Sequence, residues 1–145
     1  MADLIIYDKP YEKQTGTACS APYVDVSISA LTGRKSVDVS FRARIDTGAD
    51  ITCIPGTQAK MLMPLLLGKP VLIRAHDGSV KRARTHLMII SIHGYPDQNV
   101  VRSYRPERGV LLTDSDIGLI GMDIISKYWK VTFDGNPGKF SVECT

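Results

Sequence analysis

A run of alternating apolar and polar residues in the first third of the chain constrains its fold more than any other feature. In residues 24–29, Val and Ile alternate with Asp and Ser, and in residues 37–45 Val, Phe, Ala and Ile alternate with Asp, Ser and Arg. A period of two places the apolar side chains on one face of an extended strand. The turn-forming residues 32–34 separate the two runs, so the sequence predicts an antiparallel hairpin with one buried face.

Similar β signals continue to the end of the chain, with one or two short helices between them. Further strands are predicted over residues 71–74, 80–92, 117–120, 130–133 and 139–142. Helices are predicted at residues 58–67 and 122–128, whereas residues 94–110 are rich in Arg, Pro and Gly and predict no element. We expect an all-β domain over residues 22–145 that ends in a hairpin, preceded by an irregular N-terminal arm over residues 1–21.

The composition is that of an ordinary globular protein, because 43% of the residues are hydrophobic and 23% are charged. The longest nearly apolar run, residues 61–67, is far shorter than the ~20 residues that cross a bilayer, and the N-terminus lacks the pattern of a secretory signal. We therefore expect a cytoplasmic protein, or a part of a larger polyprotein, that is not secreted and has no membrane partner. The net charge of +3 is too small to predict a nucleic-acid partner.

The cysteine and histidine residues predict neither a disulfide framework nor a metal site. Cys19, Cys53 and Cys144 are odd in number and far apart, and no two of them form a Cys-x-x-Cys pair. This pattern is typical of reduced thiols in a reducing compartment. The three histidines have no spacing that is typical of metal ligands. We expect no metal and no other cofactor.

The segment with the clearest chemical content follows the second alternating strand and reads Asp46-Thr47-Gly48-Ala49-Asp50. An apolar strand is expected to end here at a sharp turn, with the carboxylate of Asp46 at its end. Gly48 lets the backbone approach that carboxylate closely, and Thr47 is small and able to hydrogen-bond locally. The segment thus suits a loop that holds the Asp46 side chain with backbone N–H groups aimed at it. The alternative is a strand that ends in an Asx-turn, since so short a motif also arises by chance.

Three further features occur with this motif, in a fixed order along the chain. An alternating strand precedes it, the hairpin-turn dipeptide Asp77-Gly78 follows it, and residues 119–125 form an apolar strand that meets a glycine and then a helix. Over about residues 22–143, this arrangement resembles the retropepsin family, the retroviral-type aspartic proteases and their cellular and bacterial relatives. The resemblance implies the closed, barrel-type β fold of these acid proteases.

The resemblance also implies a role for each residue of the loop. Asp46 would be the catalytic aspartate, and Thr47 would hydrogen-bond across to its counterpart in a second subunit. Gly48 would contact the substrate backbone. Ala49 and Asp50 would line the inner subsites, with Asp50 hydrogen-bonding the substrate main chain.

By the same resemblance, a flap would close over the bound peptide, and a glycine would support the active-site loop. The residues of the flap that would contact substrate are Ala75, His76, Asp77, Gly78 and Ser79. Ile120 and Gly121 would pack beneath the loop, and the short helix would follow them.

The reaction of such an enzyme requires two copies of this chain. Aspartic proteolysis uses two carboxyl groups that share one proton, one acting as a base toward water and the other polarising the scissile carbonyl. The chain contains one Asp-Thr-Gly only. The second Asp46 must therefore come from a second copy, and we expect a homodimeric aspartic endopeptidase with a peptide or protein substrate.

Arg44 departs from the family pattern, in which this position is usually apolar. It lies two residues before Asp46, so its side chain points to the same side of the strand. Because a guanidinium is always charged, Arg44 would favour an acidic or polar substrate side chain. The alternative is that its side chain extends into solvent.

Two other functions and one question about assembly stay open at this point. The domain is alternatively a catalytically silent peptide-binding or dimerisation module, or a β-rich structural or nucleic-acid-binding domain with a chance Asp-Thr-Gly. The C-terminal hairpin, residues 129–142, would lie at the dimer interface. Its alternative role is to cover the core of a single chain.

Overall fold

The computed structural model describes residues 3–13, 19–29, 39–62, 66–74 and 77–145. These residues form sixteen strands and two short helices, which confirms the prediction of a mostly β protein. The strands are β1 (Asp3–Pro10), β2 (Glu12–Lys13), β3 (Ser20–Ala21), β4 (Tyr23–Ser29), β5 (Val39–Ile45), β6 (Cys53–Pro55), β7 (Leu66–Leu67), β8 (Val71–Arg74), β9 (Val80–Ala83), β10 (His86–Leu87), β11 (Ile89–His93), β12 (Val101–Tyr104), β13 (Leu111–Thr113), β14 (Gly118–Ile120), β15 (Trp129–Asp134) and β16 (Lys139–Cys144). The helices are α1 (Gly56–Ala59) and α2 (Met122–Tyr128).

A seven-stranded sheet in the order β12-β11-β4-β5-β14-β6-β13 forms the centre of the domain. Strands β4 and β5 pair antiparallel, with Val24 opposite Ala43 and Val26 opposite Phe41, which confirms the hairpin predicted from the alternation. Val24, Val26 and Ala43 are buried in the core, as a single apolar face requires. The turn predicted at residues 32–34 lies outside the described residues.

The described strands do not close into a barrel, contrary to the expectation from the sequence. The seven-stranded sheet ends at β12 on one side and β13 on the other, and no pairing among the described residues joins these two strands. A separate three-stranded sheet, in the order β1-β16-β15, instead contributes its apolar residues to the same core.

The N-terminal residues are more regular than the sequence indicates, since it predicts only a short strand at residues 4–7 in an irregular arm. Strand β1 is eight residues long and pairs antiparallel with β16. Ile5 and Ile6 are buried in the common core, and the Tyr7 N–H donates to the Tyr95 carbonyl oxygen at 2.9 Å. The arm therefore packs as part of the domain.

A buried lysine helps to hold β1 in place. Lys9 is 5% exposed, and its Nζ donates to the carbonyl oxygen of Tyr23 at 2.9 Å. Glu12 and Asp25 each place a carboxylate oxygen 3.8 Å from this Nζ. A buried charge is tolerated when it is paired and hydrogen-bonded in this way, so Lys9 connects the N-terminal strand to β4.

We expect Lys9→Ala to lower the free energy of unfolding by about 2 kcal/mol, because it removes the hydrogen bond to Tyr23 and the packing of the aliphatic stem. Lys9→Met keeps most of the packing, so its loss is expected to be roughly half as large. Urea denaturation measures both values, with the exposed Lys130→Ala as the control. Equal effects of Lys9→Ala and Lys130→Ala would show that Lys9 has no such role.

Two predicted elements are wrong in their extent. Helix α1 makes one turn only, and Leu66–Leu67 is a strand rather than the end of a helix over 58–67; residues 63–65 lie outside the described part. The predicted strand 80–92 is divided into β9, β10 and β11. The division occurs because the chain changes partner: β9 pairs with β8, β10 pairs with β7, and β11 pairs with β4 and β12.

The C-terminal hairpin is confirmed, since β15 and β16 pair antiparallel in continuous register from Trp129–Cys144 to Asp134–Lys139. Its inner side chains are buried within one chain, where the Trp129 Nε1–H donates to Tyr104 Oη at 2.8 Å. Tyr104 Oη also lies 2.9 Å from the Sγ of Cys144. The hairpin thus covers the core of its own chain, and only its outward side chains remain for the predicted dimer interface.

Candidate functional site

Asp46 lies at the end of β5, where the neighbouring strand β14 runs parallel to it. Ile45 pairs with Ile120 in this register, and the Asp46 N–H donates to the Ile120 carbonyl oxygen at 3.0 Å. The Asp46 side chain is 28% exposed. The carboxylate is therefore fixed at the carboxyl end of two central strands and stays accessible.

The loop after Asp46 turns back on the carboxylate. The Gly48 N–H donates to Asp46 Oδ1 at 2.9 Å, and the Ala49 N–H donates to the Asp46 carbonyl oxygen at 3.2 Å. A Cβ atom at position 48 would lie 3.2 Å from Oδ1, which is tighter than an ordinary contact. These contacts place the backbone of Gly48 close to the carboxylate, as the sequence predicts, and the bond from Gly48 N–H to Asp46 Oδ1 is also that of an Asx-turn, so both the active-site loop and its alternative fit this geometry.

Gly121 supports this loop from below, as the sequence predicts. A Cβ atom at Gly121 would lie 2.8 Å from the Ala49 carbonyl oxygen and from the carbonyl carbon of Ile51, so a side chain has no room there. The Met122 N–H donates to the Ala49 carbonyl oxygen at 2.7 Å, and the Asp123 N–H donates to that of Asp50 at 3.2 Å. Through these hydrogen bonds, the first residues of α2 hold the loop in position.

A buried threonine and an aspartate complete the support, and sequence reasoning missed both. Thr52 is fully buried; its hydroxyl donates to Asp123 Oδ1 at 2.7 Å and accepts the Gly121 N–H at 3.1 Å. The Thr52 N–H also reaches both Asp123 oxygens at 3.1 Å. The available signal was an acidic residue in the first turn of a predicted helix, where a carboxylate finds free N–H groups.

Arg44 contacts the catalytic candidate directly. Its Nη2 lies 3.5 Å from Asp46 Oδ2, and its side chain is 47% exposed. The prediction that Arg44 and Asp46 share a side is thus confirmed. Of the other predicted site residues in this loop, Thr47 and Asp50 are exposed and Ala49 is half-buried, so the loop brings all six residues 44 and 46–50 to one accessible region.

The predicted flap is a hairpin of β8 and β9 that forms a two-stranded sheet of its own. In its turn, the Ser79 N–H and hydroxyl donate to Asp77 Oδ1 at 2.8 and 2.6 Å, and Gly78 adopts a φ of +85°. These hydrogen bonds lower the pKa of Asp77. Ala75 and His76 lie outside the described residues. Within the described ones, no hydrogen bond or ion pair joins the hairpin to the loop at Asp46.

The two faces of the hairpin differ in exposure. Leu72 and Val80 lie on one face and are 74% and 56% exposed, whereas Val71 and Ile73 lie on the other face and are half-buried. Arg82 lies opposite Leu72 and Arg74 lies opposite Val80, so this face mixes apolar and basic side chains.

Cys53 lies on β6, close to both carboxylates of the site. Burial, together with the smaller effects of the charges of Asp123 and Asp46, raises the pKa of its thiol from 9.0 to about 11. The thiol is therefore protonated at neutral pH, and Cys53 is not a nucleophile for this site.

We expect alkylation of Cys53 by iodoacetamide in the folded protein to be roughly a hundredfold slower than in urea at about pH 8, because two units of pKa reduce the thiolate fraction by that factor. Since the folded-state pKa lies above the ordinary value of 9.0, the free energy of unfolding should fall as the pH rises from 9.0 toward 11. Peptide mass spectrometry measures the rate, with the exposed Cys19 as the internal control. Equal rates at Cys53 in folded and unfolded protein would contradict the expectation.

The described residues contain no group of three or more His, Cys, Asp or Glu side chains arranged to hold a metal ion. In the same part of the chain, no helix has the length and hydropathy to cross a membrane. The sequence matches no model of a known protein family and no curated protein at a significant level.

Proposed function

We propose that the protein is a retropepsin-like aspartic endopeptidase that acts as a homodimer, with one Asp46 from each subunit in a shared site. The single observation that carries the proposal is the position of the Asp46 carboxylate, at the carboxyl end of two parallel central strands and on a loop that packs against Gly121. Asp46 Oδ1 accepts the Gly48 N–H at 2.9 Å, on a loop that Gly121 supports at the end of two parallel strands. This loop is what a pair of carboxylates needs if both are to stay in a fixed position.

In the proposed dimer, the two Asp46 carboxyl groups would lie at the twofold axis and hold a water between them. Two carboxylates about 3 Å apart cannot both ionise, so the pair keeps one proton. The ionised carboxylate takes a proton from the water, which attacks the scissile carbonyl, and the protonated one donates a hydrogen bond to the carbonyl oxygen. No metal or organic cofactor takes part in this step.

The hairpin of β8 and β9 supports a peptide as the substrate. Such a hairpin would close over an extended chain, with its turn at Asp77–Ser79 above the loop and Thr47, Gly48 and Asp50 below. The substrate main chain would then pair with backbone groups, as an added strand does. A cytoplasmic or polyprotein origin stays a prediction of the sequence alone.

A catalytically silent peptide-binding or dimerisation module is the second candidate, and one contact favours it. The Gly48 N–H binds Asp46 Oδ1, and Arg44 Nη2 lies 3.5 Å from Asp46 Oδ2. A cation therefore lies beside the carboxylate oxygen that the backbone does not bind. Such a module would bind peptides and form dimers without hydrolysing them.

Binding of a statine-containing peptide, a transition-state analogue of aspartic proteolysis, tests the first candidate. We expect one molecule of inhibitor per two chains in calorimetry, with a dimer in sedimentation, because the hydroxyl of the analogue replaces the shared water. Asp46→Asn should dimerise and lose most of this affinity. One inhibitor per chain, or binding that Asp46→Asn leaves unchanged, would contradict the shared site.

A further inference from the structure

We infer that Arg44 makes this site selective for peptides with an acidic side chain next to the scissile bond. The inference rests on the proposed function and names its substrate class. It concerns the one ion pair that the described residues form with Asp46.

The position of Arg44 is fixed by a central strand. In the register of the sheet, Arg44 on β5 lies opposite Tyr23 on β4 and opposite Leu119 on β14. A strand with neighbours on both sides fixes the backbone of its residues and the direction in which each side chain leaves it, and residues two apart share a face. The central strand, and not a loop, therefore positions Arg44 on the same face as Asp46.

The guanidinium lies beside one oxygen of the Asp46 carboxylate, and the backbone holds the other. Gly48 holds Asp46 Oδ1, and Arg44 Nη2 lies 3.5 Å from Oδ2. A group that reaches Oδ2 therefore passes within contact distance of Arg44. Since the Arg44 side chain is 47% exposed, a bound peptide has access to its remaining N–H donors.

The charges of the active dimer leave Arg44 incompletely neutralised. Two Asp46 carboxyl groups that share one proton carry a charge of about −1, whereas two Arg44 side chains carry about +2. Asp123 beneath the loop has hydrogen-bond partners in Thr52 and Ile124, and the exposed Asp50 adds a further negative charge to the loop, but among the described residues neither forms an ion pair with Arg44. An acidic substrate side chain would supply the missing charge, in a bidentate pair that the planar guanidinium favours.

A half-exposed ion pair has a modest effect, so we expect about a two- to fivefold preference in kcat/KM. To measure it, a cleavable sequence is first selected from a proteome-derived peptide library. Four peptides are then made from this sequence, with Glu or Gln on either side of the scissile bond, because the twofold site presents an Arg44 to each side. The Glu preference should weaken when the salt concentration is raised, since ions screen exposed charges.

Three variants separate charge selection from other roles of Arg44. Arg44→Leu should remove the preference for Glu, Arg44→Lys should retain its sign, and Arg44→Glu should reverse it toward a Lys-containing peptide. Arg42→Leu is the matched control, because Arg42 lies on the same strand and face and pairs with Glu12 instead. Circular dichroism confirms that each variant is folded.

Equal cleavage of the Glu and Gln peptides by the wild type would overturn the inference while leaving the proposed function intact. An equal loss of both rates in Arg44→Leu, with an unchanged Glu to Gln ratio, would also overturn it, since Arg44 would then only position Asp46. If the wild type cleaves no peptide of the library, and Asp46→Asn behaves alike, the proposed function fails and the inference fails with it.

Discussion

Replacing Asp46 by Asn is expected to lower the rate of peptide hydrolysis by about a thousandfold or more, the usual scale for loss of a general base. Asparagine is nearly isosteric and its Oδ1 still accepts the Gly48 N–H, so the loop keeps its shape. It has no proton to share and no charge to activate water. The measurement is kcat/KM on a peptide that the wild type cleaves.

Two controls separate a catalytic loss from other causes. Asp116→Asn removes an exposed carboxylate between β13 and β14 and should leave kcat/KM unchanged. Mixing equal amounts of wild type and Asp46→Asn, after subunit exchange, should leave about one quarter of the activity of the undiluted wild type, because only wild-type homodimers have both carboxylates. A value of one half would show that each chain acts alone, and full activity of the variant would remove Asp46 from the mechanism.

Local patterns in the sequence predict the elements whose information lies within a few residues. The period-two alternation predicts β4 and β5, and the two strand signals over residues 130–133 and 139–142 predict the C-terminal hairpin of β15 and β16. The Asp46 loop is predicted for the same reason: a strand, a small residue and a glycine define its shape locally, and Gly48 lies where that shape requires.

Structural features that depend on residues far apart in the sequence could not be predicted from local patterns. Strand β1 is stable because β16, more than 120 residues later, pairs with it, and its own residues give a weak β signal. The continuous pattern over residues 80–92 hides two changes of partner, from β8 to β7 and from β7 to β4. The hydrogen bonds from Thr52 to Asp123 join residues far apart in sequence, so Thr52 shows no local sign of its role, and Asp123 shows only its place in the first turn of a predicted helix.

Loss of the Asp123 carboxylate is expected to have the largest effect on stability near the site. Asp123→Ala removes the acceptor for the Thr52 N–H, the Thr52 hydroxyl and the Ile124 N–H, at distances of 2.7 to 3.1 Å. Thr52 is fully buried, so water does not replace the lost partner without a cost. Hydrogen bonds to a charged group contribute about 1.5–3 kcal/mol each, and we expect a loss of about 3 kcal/mol in the free energy of unfolding.

A comparison of substitutions at the same position tests whether the hydrogen bonds or the charge carry this effect. Asp123→Asn keeps one acceptor oxygen for Thr52 and should lose roughly half as much stability as Asp123→Ala. Asp116→Ala, an exposed control, should change the free energy of unfolding by less than about 0.5 kcal/mol. Urea denaturation measures all three. Thr52 also accepts the Gly121 N–H, so the loss of its Asp123 partner should disturb the support of the Asp46 loop. We therefore expect a destabilised Asp123 variant to hydrolyse peptides more slowly even where the chain stays folded. An Asp123→Ala variant as stable as Asp116→Ala would mean that the loop at Asp46 is held by the backbone contacts of Gly121 and Met122 alone.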